Sequence, residues 1–218
     1  GNMVVHRFFN NYYFYSDGTI ARNIRLNIPT HYITREFPNI YEFDNDGVGK
    51  YISSDFKDLR PKSAHFSQDK EGYWYYYDEY GQPGVGAETI DGYDMYFHFG
   101  TRRQAKGEFV DVNGKVYYFD KDNGRKVKDT TFDINGKTYV ADQSGILSIK
   151  SQSTERNRYI SDSEGNWYYV NGKGDLLLGA QTIDNVKVYF DTKGVQYKGH
   201  FAPDHHYYDK DTGALVTD

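Results

Sequence analysis

The sequence predicts an almost entirely β protein, an array of short β-hairpin repeats, on three observations. Glu71-Gly72-Tyr73-Trp74-Tyr75-Tyr76 returns 93 residues later as Glu164-Gly165-Asn166-Trp167-Tyr168-Tyr169, and Gly86-Ala87-Glu88-Thr89-Ile90-Asp91 returns as Gly179-Ala180-Gln181-Thr182-Ile183-Asp184. Inside the first copy, Ile90-Asp91-Gly92, Val112-Asn113-Gly114 and Ile134-Asn135-Gly136 stand 22 residues apart, and each opens a Tyr/Phe-rich run. No window carries a helical apolar period, and helix formers are sparse. Fixed periods of this size signal a stacked array rather than one globular core.

Residues 4 to about 70 form the irregular part. Tyr12-Tyr13-Phe14-Tyr15-Ser16-Asp17-Gly18 and Ile40-Tyr41-Glu42-Phe43-Asp44-Asn45-Asp46-Gly47 resemble aromatic hairpins of decayed spacing, with Pro29, Pro38 and Pro61 and charged links interrupting the register. Asp55 to Lys70 is the best boundary, dividing a divergent region, 1–70, from a regular array, 71–218, whose long repeats begin near 71 and 164. Each regular unit reads as a short alternating strand, a turn of Asp, Asn, Gly or Lys, a second short strand and a link. After the aromatic run that ends at Phe119, Asp120-x-Asp122-x-Gly124 supplies the left-handed position that a hairpin needs. Comparable hairpins are expected around Gly81, Gly100 to Arg102, Gly145, Gly172 to Gly174, Gly194 and Gly213. Ser148 to Asn157 is polar and reads as a longer loop between the two long repeats.

Composition narrows the function. The 218 residues are 38% hydrophobic, with 23 Tyr and 14 Phe supplying most of the apolar surface, and the mean hydropathy is −0.83. Stacked units can be stable on such rings because each buries a large area. A net charge of −5 with lysines and aspartates interspersed gives no basic stripe and argues against a nucleic-acid partner. The absence of cysteine removes disulfides, thiolate metal sites and a cysteine nucleophile. No apolar stretch approaches the roughly 18 residues of a membrane helix, so no membrane partner is expected. Gly1-Asn2-Met3 reads as a cloning remnant and the whole as an excised piece of something longer. No cofactor is expected, and a monomer is.

The sharpest motif is Gln-x-Lys-Gly, present as Gln104-Ala105-Lys106-Gly107 and Gln196-Tyr197-Lys198-Gly199, each after an aromatic strand, Met95-Tyr96-Phe97 and Val188-Tyr189-Phe190. Alternation along a strand turns Met95 and Phe97 inward and Tyr96 to an outer face, and likewise Val188 and Phe190 against Tyr189. The Gln and Lys, spaced by two, share one side. A ring, an amide and an ammonium on one face suit a neutral sugar: the pyranose C–H face lies on the ring while amide and ammonium meet vicinal hydroxyls. The competing reading is that Gln and Lys are solvated hairpin residues. In the 22-residue register the position of Gln104 becomes Lys126 and then Ser148, so pockets should be fewer than hairpins.

Trp-Tyr-Tyr, then Gly-Ala-x-Thr-Ile-Asp, then Tyr-Phe, then Gln-x-Lys-Gly closely resembles the glucan-binding repeats of glucansucrases and related glucan-binding proteins of lactic acid bacteria and oral streptococci. The resemblance covers 71 to 218 well and 4 to 70 loosely. It implies a β-solenoid of hairpins, an accessory domain that is secreted or held at the bacterial surface, and binding of α-glucan such as dextran or isomaltooligosaccharide. The implied pockets take a stacking Tyr from one hairpin with Gln and Lys of the next: one near Tyr76, Tyr96, Gln104, Lys106 and Tyr118, a second near Tyr169, Tyr189, Gln196, Lys198 and Tyr207. The first copy departs from the pattern in one extra residue and in Gly100-Thr101-Arg102-Arg103 replacing the usual Asp/Asn-Gly turn.

Similar repeats occur in choline-binding surface modules and in clostridial toxins. A choline cage needs several aromatic rings around a quaternary ammonium, and this chain has only Trp74 and Trp167, with a lysine where choline would sit. Asp120-x-Asp122-x-Gly124 and Asp209-x-Asp211-x-Gly213 read as turn chemistry before they read as calcium loops. His205-His206 beside Asp204 is a weak metal pair, since adjacent strand residues point apart. The acids recur in turns without a unique flanking pair, which argues against a glycoside hydrolase. The reading is a non-catalytic glucan-binding module; the alternative is a structural spacer or surface adhesion segment, or a choline- or toxin-type repeat.

Overall fold

The computed structural model describes residues 7–9, 11–14, 19–27, 40–53, 64–78 and 83–217. Gly1-Asn2-Met3, the Tyr15 to Gly18 half of the first aromatic hairpin, Pro29, Pro38, Pro61, the turn at Gly81 and the 55–63 part of the expected boundary lie outside the described residues. Among the described residues every regular element is a β-strand. Two compact units divide the chain, Gly1–Ala105 and Lys106–Asp218.

The first unit holds β1 (Arg7–Phe9), β2 (Tyr12–Phe14), β3 (Ile24–Asn27), β4 (Ile40–Phe43), β5 (Gly49–Ser53), β6 (His65–Gln68), β7 (Trp74–Tyr77), β8 (Gly86–Ile90) and β9 (Tyr93–Phe97). They pair antiparallel as β1–β2, β3–β4–β5, β6–β7 and β8–β9. Two small cores result: Ala21 and Phe43 with Tyr13, Leu26 and Tyr41, and Ile90, Met95 and Phe97 with Phe66 and Tyr76.

The second unit holds β10 (Glu108–Val112), β11 (Lys115–Phe119), β12 (Thr130–Ile134), β13 (Lys137–Ala141), β14 (Leu147–Lys150), β15 (Arg158–Ser161), β16 (Trp167–Val170), β17 (Asp175–Leu177), β18 (Gly179–Ile183), β19 (Val186–Phe190), β20 (His200–Phe201) and β21 (Tyr207–Tyr208). Three hairpins, β10–β11, β18–β19 and β20–β21, accompany a six-stranded sheet of order β12-β13-β14-β17-β16-β15. The polar stretch from Ser148 is therefore not all loop: β14 runs to Lys150 and pairs with β17. The sheet also gathers a larger core than an array of isolated hairpins requires, with Val116, Tyr139, Leu147, Ile149, Val170 and Leu178 in one buried cluster.

Two turn chemistries make these hairpins. Asp91-Gly92, Asn113-Gly114, Asn135-Gly136 and Asp184-Asn185 all take φ between +48° and +79° at both positions. That is the two-residue turn whose twist matches that of the strands it joins, and Asn, Asp and Gly tolerate it best. Elsewhere an Asp carboxylate or Asn amide oxygen caps the turn from within: Asp142 Oδ1 accepts from Ser144 and Ile146 N–H, Asp191 Oδ1 from Lys193 and Val195 N–H, and Asn171 Oδ1 from Lys173 and Asp175 N–H. Around Gly124, Gly194 and Gly213 the expected return strand shrinks to a single bridge, Phe119 to Lys126, Phe190 to Gln196 and Tyr208 to Leu215. Asp120 Oδ1 accepts from Asp122 and Asn123 N–H there, as Asp209 Oδ1 does from Asp211 and Thr212 N–H, so these loops have a structural use for their acids.

The turn at Gly114 docks as well as turns. Its carbonyl accepts the Ala180 N–H at 2.8 Å, and a Cβ there would stand 2.6 Å from the Ala180 Cβ, whereas one at Gly136 would meet nothing within 4 Å. We expect Gly136→Ala to cost about 1 kcal/mol from the left-handed backbone alone. Gly114→Ala should cost about 1–3 kcal/mol more through overpacking. Paired denaturant titrations of the two variants check this; equal losses would show that the Ala180 contact is slack.

Candidate functional site

The second Gln-x-Lys motif is brought to the start of β16. Asp162 closes the β15–β16 turn, its Oδ1 accepting from Glu164 and Asn166 N–H and its Oδ2 from the Asn166 amide at 3.0 Å and the Tyr168 hydroxyl at 2.7 Å. Trp167 is thus held between two fixed neighbours with its side chain 40% exposed. Its carbonyl accepts the Gln196 N–H at 2.7 Å, which the capped Asp191 turn delivers.

From that anchor the two motif side chains reach one place. Gln196 Nε2 donates to the Thr212 carbonyl at 3.3 Å, and Lys198 Nζ donates to the Asp211 carbonyl at 3.0 Å while standing 5.3 Å from the centre of the Trp167 ring. Gln196 and Lys198 therefore share a side, as their spacing requires. Gln196 is nonetheless buried, clamped where a Cβ on Gly213 would collide with its amide. The exposed ring beside the motif is Trp167.

Tyr189 differs from expectation. It is 1% exposed, as buried as Val188 and Phe190 on either side of it. Alternation does split the strand, since Val188 and Phe190 pack with Ile183, Tyr159 and Tyr169 while Tyr189 packs with Ala202 and Tyr208. The second face is simply covered too, by the hairpin that follows. The Tyr189 hydroxyl donates to Asp111 Oδ2, and burial, then that bond, pushes its pKa well above the usual phenol range. Tyr169 is half-buried, edge-on to Tyr159 at 5.0 Å. Tyr207 is 37% exposed and edge-on to Phe201 at 5.4 Å.

The first copy repeats parts of this scheme. In the first unit Gln104 donates its N–H to the Trp74 carbonyl at 2.8 Å, as Gln196 does to Trp167, and its side-chain amide meets Met95 Sδ at 3.2 Å. Tyr96 is buried rather than outward-facing, edge-on to His98 and Phe99, and Tyr76 packs on Phe66 and Phe97. In the second unit Lys106 Nζ donates to the Asp122 carbonyl at 2.7 Å, the counterpart of Lys198 on Asp211. Tyr118 lies between Phe109 and Phe132, 5.0 and 5.1 Å away.

Sequence reasoning missed a cleft of about 640 Å³ in the second unit, lined among others by Asp111, Gln181, Lys187, Asp204, His206 and Tyr208. That size lies within the range of small-molecule sites. Asp204 is held by the Tyr208 hydroxyl at 2.6 Å and by His206 Nδ1 at 3.4 Å. His205 and His206 sit in a turn, not on a strand, and among the described residues no three His, Cys, Asp or Glu side chains gather as a metal site. The cleft joins segments as far apart as Asp111 and Leu215, which no local motif announces.

Residues 85–132 and 177–218 match the choline-binding repeat. The chain is 31% identical over 228 residues to glucosyltransferase-S of Streptococcus mutans, covering 99% of this chain and 14% of that protein. Against glucosyltransferase-I of Streptococcus downei it is 33% identical over 194 residues, covering 82% and 10%. Among solved structures it is similar to alternansucrase in complex with isomaltononaose, at 28% identity and a TM-score of 0.37, over 94% of this chain and 16% of that one. The chain is homologous to a segment of the streptococcal glucosyltransferases and carries choline-binding-type repeats, and it spans 14% or less of these two curated relatives.

The turn that carries Trp167 gives a pH prediction. Hydrogen bonds from the Asn166 amide and the Tyr168 hydroxyl hold the Asp162 carboxyl at about 2, while burial, then the bond to Asp162, lifts the Tyr168 hydroxyl to about 12. A carboxyl whose folded pKa is lowered stabilises the fold in full above its ordinary value and loses that contribution as pH falls towards 2. A carboxyl-detected NMR titration should show Tyr168→Phe moving the Asp162 midpoint upward. An unmoved midpoint would break the link between the two groups.

Proposed function

We propose that this chain is a non-catalytic carbohydrate-binding module, an accessory segment of a secreted or surface-held glucosyltransferase-like protein, that binds α-glucan of the dextran type reversibly. The arrangement at β16 is the observation that carries the reading: an exposed Trp167 ring stands beside a Gln and a Lys, in a chain homologous almost throughout to a segment of glucosyltransferases. A pyranose lies on the ring and exchanges hydroxyl hydrogen bonds with Lys198, Gln196 holds the strand and the turn around it, and Tyr207 adds a second exposed ring. Tyr169 and Tyr189 are supports. In the first unit Gln104 has the role of Gln196, with Tyr76 and Tyr96 in packing; in the second unit Lys106 has that of Lys198, with Tyr118 in packing, and the repeats build a β-solenoid. The large cleft offers a further stretch of surface with acceptors and donors suited to sugar hydroxyls.

The choline-binding repeat match favours a second reading, capture of a quaternary ammonium. Against it, the exposed indole already faces a lysine ammonium, and only two tryptophans are present in the whole chain.

A single shallow site should bind isomaltotriose in the millimolar range, about 4 kcal/mol. Trp167→Ala should weaken that binding roughly twofold to tenfold, the worth of a ring contact of about 0.5–1.5 kcal/mol. Lys126→Ala, at the register position that lacks the glutamine, should leave it unchanged. Affinity electrophoresis in dextran reads both variants, and choline added to the gel should leave migration unaltered. Migration indifferent to dextran in the wild-type chain would leave the spacer reading; release by choline would favour the other family of ligands.

A further inference from the structure

In the first copy Gly100-Thr101-Arg102-Arg103 stands where the second has an Asp-capped turn that ends in glycine, Asp191 to Gly194. Two residues before the bridging glutamine, the second copy has Gly194 at φ +85°, and the first has Arg102 at φ +61°. A left-handed arginine costs about 1–2 kcal/mol that glycine would avoid. Arg102 is thus strained where the second copy has a glycine, so its side chain is the reason to look for a gain.

Arg102 and Arg103 line a cavity of about 170 Å³ in the first unit, together with Arg22, Tyr75, Thr19 and Thr101. Among the described residues no carboxylate lines it. The Arg103 and Arg22 guanidiniums are held by neighbouring rings and main chain. Arg103 lies 3.5 Å over the Tyr73 ring, and Arg22 donates to the Asn45 carbonyl at 2.9 Å while standing 5.4 Å from the Tyr75 ring centre. Tyr75 in turn donates to the buried Asp69 at 2.9 Å, which commits that carboxylate to a bond behind the wall. Arg103 Nε is buried and has no hydrogen-bond partner among the described residues.

We propose that this cavity is an oxyanion site, taking a phosphate or carboxylate group carried on a saccharide. Planar guanidiniums with fixed orientation match such groups through paired, charge-assisted hydrogen bonds. The volume is well under the roughly 300 Å³ at which sites for whole small molecules begin, so the charged substituent enters and the sugar ring stays outside. This site differs in ligand chemistry from the neutral-glucan reading and stands or falls apart from it.

The test uses the full chain and follows the arginine Nε–H resonances while inorganic phosphate is titrated in. Saturable shifts at Arg102 and Arg103 are expected, weakened by added salt, with plain glucose at equal concentration giving none. Glucose 6-phosphate and glucuronate then decide whether the natural group is a phosphate ester or a carboxylate. Arg102→Gln should weaken phosphate binding at least about tenfold, the worth of one hydrogen bond to a charged group, while Arg125→Gln in the other unit should change nothing. Shifts that never saturate, or that Arg125→Gln reduces as much as Arg102→Gln does, would overturn the proposal. Should Arg102→Gln fail to fold, as its amide spectrum would reveal, the wild-type Nε shifts decide alone.

Discussion

In hairpin after hairpin an aromatic residue stands directly across from a tyrosine: Phe66 from Tyr76, Phe109 from Tyr118, Phe132 from Tyr139, Tyr159 from Tyr169, Phe201 from Tyr207. Two short strands cannot bury a core between them, and an isolated hairpin is marginal in water. The ring pair solves this by giving each hairpin a broad apolar face on which a neighbour can pack. Phe109 meets Tyr139 at 4.9 Å and Tyr118 stacks on Phe132, so one pair rests on the next. Such contacts are worth about 0.5–1.5 kcal/mol each beyond the area they bury, and a chain poor in aliphatics has them in quantity.

Function follows from what this packing leaves over. Acids are consumed locally as turn caps, as at Asp142, Asp162 and Asp191, and tyrosine hydroxyls find acids, as Tyr189 finds Asp111 and Tyr208 finds Asp204. Beside the second Gln-x-Lys segment the packing leaves an indole at the first residue of a strand, its hairpin partner Ser161 small and the strand only beginning. The Gln-x-Lys segment is pinned to that indole's carbonyl, so ring and cation are placed by main-chain geometry rather than by their own flexible side chains.

Asp91-Gly92, Asn113-Gly114 and Asn135-Gly136 were legible as markers of a 22-residue period but not as the turns they form, since hairpins were expected at the glycines after each aromatic run, such as Gly124; the need for positive φ, which few residues supply, is the local signal that marks them. The inward faces of Met95 and Phe97, and of Val188 and Phe190, were legible from alternation. The burial of Tyr96 and Tyr189 was not, because alternation assigns a side chain to a face and says nothing about whether another hairpin covers that face. The Trp167 site was half legible. The Trp-Tyr-Tyr echo singled out the residue and Gln-x-Lys singled out its partners, but the hydrogen bond joining them spans 29 residues between Trp167 and Gln196. The sheet that joins β14 to β17 was hidden behind Ser148 to Asn157, whose polarity masks the alternating Leu147 and Ile149.

A cut in the chain between Lys150 and Arg158, where polarity alone suggests a harmless seam, would separate β14 from β17. Both fragments would then carry a bare strand edge with open N–H and C=O groups, and the buried cluster containing Leu147, Ile149 and Leu176 would be opened along its middle. Exposed edges of that kind invite pairing with foreign strands. The repeat boundary visible in the letters and the boundary along which the protein can be dissected are therefore different places.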